Sequence, residues 1–422
     1  MPLSPPVRAH LLQEAATLHE RVRNLMPFDL HMAALPAASI SAPARQLIDD
    51  FIEHGRRDVL DRLAEYCNWL QQEPRADDAE AQRRLTFIRL RTGTMLSRFD
   101  LYADVLTQRS EHRVGIWLAG LEAAAEDGLG IEGVASPPVV CYLDRGGGAA
   151  IRRARTRLPG GEFNPVALVR IPRERMIGSG VSSSLIHEVG HQGMALLDLV
   201  PSIRPTIAGF EAHRPQVWSL WRTWISEILA DFWSVARVGP ASVLGVMSVV
   251  SLPRAFVFRI GVDDPHPFPY IRVRLACAMA QELYPHPQWR HLDGVWQRLY
   301  PLEGLDGRSR RIIADLSATM PALARLIAEH RPPKLGGRSL RLVLACPCKG
   351  PERLRRTIVE MRRGSARLDD RSPCRALAVL GQAKFDKQLS AAQETRILER
   401  LLTHWALTRT RNEVNTCAAP AA

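Results

Sequence analysis

The sequence lacks any long run of apolar residues. The longest one lies around residues 240–253, which is too short to cross a membrane, and Arg254 follows it directly. The opening residues, MPLSPPVR, are not followed by the apolar segment of a secretory signal, so we expect neither a signal nor a transmembrane segment. Hydrophobic content of 46% and charged content of 24% are ordinary for a globular chain of 422 residues, which is long enough for two or three domains.

Cysteine is also scarce, and its spacing does not form a disulfide framework. The seven cysteines are scattered and odd in number, which predicts reduced thiols and a cytoplasmic location. Cys346 and Cys348, together with the distant Cys374, could bind a second metal. Their C-x-C spacing nevertheless differs from the paired C-x-x-C units that are typical of structural zinc sites.

Acidic residues are outnumbered by basic ones, and the net charge is +12. Residues 331–371 hold much of the excess, because this segment carries twelve Lys or Arg against four Asp or Glu. Such a segment could bind nucleic acid or an acidic partner. Aromatic residues are not interleaved with these charges, so a solvated basic surface is favoured and nucleic-acid binding remains possible but unsupported. Nothing in the sequence indicates an oligomeric state.

The strongest motif is H-E-x-x-H, which occurs as His187-Glu188-Val189-Gly190-His191. Residues four apart lie on the same face of a helix, so His187 and His191 would direct both imidazoles to one point. Glu188 could there reach a water molecule bound to that point. Two nitrogen ligands, an open position and a nearby carboxylate are what a catalytic zinc ion requires.

The context of this motif supports a buried helix from about residue 184 to 199. One of the serines at 182–184 would cap its N-terminus, and we expect a loop from Pro201 to Pro215 after it. The alternative is a core helix whose histidines are satisfied by hydrogen bonds alone. The metzincin continuation is absent, because Met194 and Leu197 stand where that pattern has Gly and His, so a third ligand must come from elsewhere.

A second helix, predicted over residues 216–238, offers that ligand. It is apolar on nearly every face, which marks it as buried, yet it contains Glu227 and Asp231 four positions apart. Buried carboxylates are costly unless they are paired or bound to a metal. We therefore expect Glu227 to coordinate zinc and Asp231 to accept the N–H of a ligand histidine, which fixes that ring's tautomer.

Together, HEVGH and the later SEILAD segment resemble the gluzincin metallopeptidases, and the E-x-x-A-D form is most similar to the HtpX and CAAX-processing type. A further segment, DPHPFPYIR, resembles the downstream H-P motif of that type. The resemblance covers roughly residues 165–285, and the membrane helices of that type are missing. It implies that His266 helps to stabilise an oxyanion and that Arg272 holds Glu227 or the substrate. A proline-rich structural turn is the alternative for this segment.

Periodicity predicts a mainly α fold with a small β-sheet, which is an α+β class. The resemblance implies that this fold contains a zincin-like metallopeptidase core flanked by helical lobes. The predicted division is a helical N-terminal lobe at 1–130, the core at 131–285 and a helical, basic C-terminal lobe at 286–422. Two strands are expected at 137–143 and 166–171, joined by a flexible basic loop. The second strand would form an exposed edge that pairs with an extended peptide.

These features predict a zinc-dependent metallopeptidase that acts on a peptide or protein, with Glu188 as general base. The alternative is a non-catalytic zinc-fold interaction or regulatory protein, whose basic C-terminal region binds an acidic partner or nucleic acid. A fourth protein ligand on the metal, for example His213 or Asp198, would favour that alternative.

Overall fold

A computed structural model gives the architecture of the chain. It describes residues 3–25, 35–72, 77–144, 149–158, 161–173, 179–212, 214–261, 264–368 and 372–418. The helices, numbered α1 to α16, span Pro5–Arg23, Ala42–Gln72, Asp78–Thr107, His112–Leu129, Ser179–Leu197, Leu199–Phe210, Pro215–Val238, Pro240–Val249, Arg254–Val257, Pro269–Leu283, Pro287–Leu299, Gly307–Glu329, Leu340–Leu344, Pro351–Arg362, Pro373–Phe385 and Ala391–Ala418. None of these described helices has the combination of length and apolar character that a membrane span needs.

Three strands form one small sheet. They are β1 (Val139–Asp144), β2 (Ala150–Arg152) and β3 (Ala167–Pro172), in the order β1-β3-β2. The prediction of a mainly α fold with a small sheet is therefore confirmed. The prediction that the strand at 166–171 forms an exposed edge is wrong, because the short β2, which we did not foresee, pairs beside β3 and makes it the central strand.

The chain folds into two compact units. The first contains residues 1–118, 152–167 and 410–422, and the second contains residues 119–151 and 168–409. Both units are helical: helices α1 to α3 lie in the first unit, and helices α5 to α15 lie in the second. The three-part division by residue range stays a prediction.

In the first unit, α1, α2 and α3 pack through a shared apolar core that includes Leu11, Leu63 and Leu85. The segment predicted as a flexible basic loop is ordered where the structure describes it. Asn164 is fully buried there; its Oδ1 accepts a hydrogen bond from Tyr102 Oη at 2.6 Å, and its Nδ2 donates to the carbonyl of Arg153 at 3.1 Å. A buried amide with both ends bonded fixes the path of the backbone.

The second unit is built around α7, which is buried along most of its length as its sequence predicted. Helix α5 packs against α7 and α8, while α10 packs against α7 and α12. The indoles of α7 find hydrogen-bond partners in this core: Trp221 Nε1 donates to Thr319 Oγ1 at 2.9 Å, and Trp233 Nε1 donates to the carbonyl of Gly128 at 2.9 Å. This packing holds α5 and α7 side by side.

Two local predictions around α5 are wrong. The helix begins at Ser179, so Ser183 lies inside it and its hydroxyl donates to the carbonyl of Ser242 at 3.3 Å instead of capping the N-terminus. The expected loop after α5 is mostly the helix α6, which follows a break at Asp198 in the left-handed conformation. Pro201 fits in the first turn of α6, where backbone N–H groups lack helical acceptors in any case.

Glycine makes the close approach of α5 to α7 possible. A Cβ at Gly193 would lie 2.2 Å from Cη2 of Trp233, and a Cβ at Gly190 would lie 3.1 Å from Cα of Ala230. The indole of Trp233 is fully buried and bonded, so it cannot swing away. The spacing of the two helices, and with it the position of every side chain between them, depends on Gly193.

We predict that Gly193→Ala destabilises the protein by ~1–3 kcal/mol, because one added methyl must displace a buried indole. Gly180→Ala in the same helix is the matched control, since a Cβ there meets no atom within 4 Å. That variant should lose no stability, because alanine is the better helix former. Urea unfolding of both variants measures the difference, and equal midpoints for the two would contradict the packing argument.

Candidate metal centre

The packing of α5 on α7 brings three metal-ligating side chains together. His187 Nε2 lies 3.2 Å from Glu227 Oε2, and His191 Nε2 lies 3.5 Å from Glu227 Oε1. Among the described residues, His187, His191 and Glu227 form the one cluster of His, Cys, Asp or Glu that could hold a metal ion. Ligand atoms about 2.1 Å from a tetrahedral ion lie about 3.4 Å apart, which is close to these spacings.

Asp231 lies behind the first of these ligands. Its Oδ1 accepts a hydrogen bond from His187 Nδ1 at 2.8 Å, and it is almost fully buried. Arg272, from α10, donates two hydrogen bonds to the same carboxylate, from Nε to Oδ2 at 2.7 Å and from Nη2 to Oδ1 at 2.8 Å. The resemblance implied that Arg272 holds Glu227 or the substrate, but its guanidinium is bonded to Asp231.

Charge in this cluster shifts the pKa values of Asp231, His187 and Glu227. Burial would raise the pKa of Asp231, but the guanidinium of Arg272 and the ring of His187 outweigh it and hold that pKa well below its usual range. Burial would likewise lower the pKa of His187, yet Asp231 and Glu227 raise it to about 9. Despite burial, His187 and His191 also keep the pKa of Glu227 far below normal. Both carboxylates are therefore ionised at neutral pH.

The donor set fits a metal ion. Because His187 Nδ1 donates to Asp231, the neutral ring offers only a lone pair at Nε2, and this faces an oxygen of Glu227 that is also an acceptor. Two buried acceptor atoms in contact, here His187 Nε2 and Glu227 Oε2, repel each other unless a cation lies between them. A proton on His187 can meet that need at one contact, and a divalent ion meets it for His187, His191 and Glu227 together.

His266 also contacts Glu227, at the same oxygen as His187. Its Nε2 lies 3.2 Å from Glu227 Oε2, and its Nδ1 lies 2.9 Å from Asp264 Oδ1. The hydrogen bond with Glu227, partly opposed by burial, raises the pKa of His266. The same Asp264 oxygen accepts the backbone N–H of His266 at 2.9 Å, so the segment is also an ordered turn that leads into α10.

Glu188 is next to His187 on α5 and is partly exposed. It makes no hydrogen bond or ion pair with another described side chain, although its charge acts on Arg272. A carboxylate in this condition is free to accept a proton from a molecule that enters the site. Its role as general base stays a prediction.

The other ligand candidates lie elsewhere. Asp198 is exposed and pairs with Lys334 Nζ at 2.6 Å, whereas His213 lies outside the described residues. Cys346 and Cys348 are joined by a disulfide, which differs from the expectation of reduced cysteines throughout. Cys374 is buried and free, and no cysteine belongs to a metal-binding cluster in the described part of the chain.

Sequence reasoning missed two contacts at this site. The Asp264–His266 pair could have been found from the D-x-H spacing, because a side chain two residues earlier readily bonds the following backbone and ring. The bidentate Arg272–Asp231 pair joins α10 to α7, and no local spacing predicts it.

Comparison of the chain with protein-family models, curated proteins and solved structures gives no match. The resemblance to gluzincins therefore stays a prediction from the sequence motifs.

Proposed function

We propose that the chain is a zinc-dependent metallopeptidase of the gluzincin type, with a zincin-like core and a mechanism like that of the HtpX and CAAX-processing enzymes. One observation carries this proposal: α5 and α7 converge so that His187, His191 and Glu227 present three ligand atoms to one point. A structural zinc site would be closed by a fourth protein ligand, and the described residues provide none in this cluster. Three ligands beside a free carboxylate are typical of a catalytic site.

Zinc is the ion we propose, because two imidazoles and one carboxylate are a ligand set that catalytic zinc sites use. Asp231 supports this choice, since a carboxylate on the far nitrogen of a ligand histidine fixes its tautomer and strengthens it as a ligand. Arg272 in turn holds Asp231 and so positions His187.

When bound, zinc lowers the pKa of its water towards neutrality. Glu188 would accept a proton from the water that attacks the substrate carbonyl and would later pass it to the leaving amine. His266, whose ring Asp264 holds through Nδ1, would donate from Nε2 to the oxygen that becomes negative, in place of its contact with Glu227 Oε2. The substrate is a peptide or protein.

The test measures metal and hydrolysis on the same preparation. We expect the purified chain to bind one equivalent of zinc by elemental analysis and to cleave members of a mixed peptide library followed by mass spectrometry. A chelator should abolish cleavage, and added zinc should restore it. His191→Ala should lose both properties, whereas His291→Ala, at an exposed histidine of α11, should keep both.

Two results would decide against this proposal. Tight zinc binding without cleavage of any peptide would favour the non-catalytic interaction protein instead. Failure to bind zinc, with the fold intact by circular dichroism, would exclude both functions.

A further inference from the structure

An apolar groove lies in the second unit at the start of α14. It has a cavity volume of about 690 Å³, which is within the usual range of ligand-binding sites. Apolar side chains make most of its wall, and the end of α10, the short α13 and the turn before α14 contribute them. They include Leu283, Tyr284, Leu342, Ala345, Pro347 and Pro351.

Hydrogen bonds between the elements that line the groove keep it open. Arg341 of α13 donates from Nη1 to the carbonyl of Glu282 at 2.7 Å and from Nε to Glu329 Oε1 at 2.8 Å, which ties α13 to α10 and α12. Tyr284 Oη donates to the carbonyl of Ala236 at 2.6 Å and fixes the floor. The Cys346–Cys348 disulfide constrains the turn that forms the third side. A preformed site needs little reorganisation when it binds.

One wall residue is unusually exposed. The side chain of Leu342, which lines the groove, is 68% exposed. Val359, near the C-terminal end of α14, is 44% exposed. The groove and Leu342 form an apolar surface that the described part of the chain leaves uncovered.

Unpaired cations continue from the groove along α14. Arg353 lines the groove. Because each residue of a helix turns the chain by about 100°, Arg356 and Arg363 project within about 80° of the direction of Arg353 around the axis of α14. All three are exposed, and none makes an ion pair within the part of the chain that the structure describes. Glu360 lies among them and Glu352 lines the groove, so this face carries three arginines against two glutamates, a net charge of +1.

We propose that this surface is a docking site for an acidic peptide segment of a partner protein, which places large apolar side chains in the groove and carboxylates on Arg353 and Arg356. The apolar cavity takes the anchor, and the adjacent cations are complementary to the acids. Nucleic acid fits poorly, because the aromatic ring of the groove, Tyr284, is only 4% exposed and offers no face for base stacking. The surface is separate from the metal centre and does not depend on the proposed peptidase activity.

The experiment uses the full chain and fluorescein-labelled 14-residue peptides that carry two adjacent leucines and four glutamates at varied spacing. Fluorescence anisotropy should show saturable binding for at least one spacing, and the affinity should fall as salt rises. Arg353→Glu/Arg356→Glu should weaken that binding by about tenfold or more, because two attractions become repulsions. Leu342→Ser should weaken it as well, and this change is safe for folding because the side chain is exposed.

The matched control is Arg310→Glu/Arg311→Glu, the same change of charge on an exposed face of α12. It should bind the peptide as the wild type does. The proposal is overturned if no peptide of the set binds, or if binding survives replacement of the leucines by serine. It is also overturned if single-stranded DNA or anionic vesicles bind through Arg353 and Arg356 while the peptides do not.

Discussion

Replacement of Glu188 by glutamine is expected to lower the rate of peptide hydrolysis by ~10²–10⁴-fold, the usual contribution of a general base. The amide keeps the size of the side chain but cannot take a proton from water. Glu188 makes no bond with a described side chain, so the fold should be unaffected. Because it is not one of the three clustered ligands, bound zinc should stay at one equivalent. Initial rates on a cleaved peptide, with elemental analysis of the same sample, measure both.

Glu303→Gln is the matched control for this substitution, since Glu303 is exposed and lies away from the cluster. It should have the activity of the wild type. Full activity of Glu188→Gln with zinc still bound would remove Glu188 from the mechanism. Loss of zinc in that variant would instead show that Glu188 acts in binding the ion.

Helical structure could be predicted well from the sequence. Apolar residues at three- and four-residue steps fix which face of a helix is buried, and α2 and α3 follow that pattern. Helix α7 is buried on most of its faces, as its nearly continuous apolar sequence predicts. The spacing of His187 and His191, and of Glu227 and Asp231, needs only the geometry of one helix each. This is why the two halves of the site could be found from local spacing.

Features set by distant parts of the chain could not be predicted. The three-residue strand β2 is too short for a periodic signal, yet it decides that β3 is not an edge. The loop predicted from Pro201 to Pro215 is mostly helix α6, because the first turn of a helix tolerates a proline. The bond from Arg272 to Asp231 spans 41 positions, and only the packing of α10 on α7 creates it.

The largest effect on stability is expected from Asp231→Asn. The carboxylate accepts three bonds, one from His187 and two from Arg272. An amide has one acceptor oxygen, and its NH₂ group would face a donor of Arg272. The variant therefore leaves a buried cation without its counter-charge, which typically costs about 3–5 kcal/mol. Zinc affinity should also fall by about 10–100-fold, because His187 loses the group that orients it. Urea unfolding and zinc titration measure the two effects.

The pKa of His187 shows whether Asp231 supports this metal ligand through its charge or only through packing. In chelated wild type that pKa is raised to about 9, chiefly by Asp231 against the opposing effect of burial. In the Asn variant it should fall, because the burial remains and the carboxylate is gone. NMR titration of the chelated protein reports the change.

The dependence of stability on pH in the acidic range gives a second measurement of the role of Asp231. The folded pKa of Asp231 is depressed, so its contribution to stability is present above the unfolded pKa of about 3.8 and is lost as pH falls towards the folded value. The difference between wild type and variant should therefore persist at pH 5 and shrink only below about pH 4. Asp293→Asn is the control: it breaks an ion pair with Arg274 at 2.9 Å in the same unit and should leave zinc affinity and the pKa of His187 unchanged. A wild-type pKa of His187 in Asp231→Asn would show that this carboxylate does not support the metal ligand.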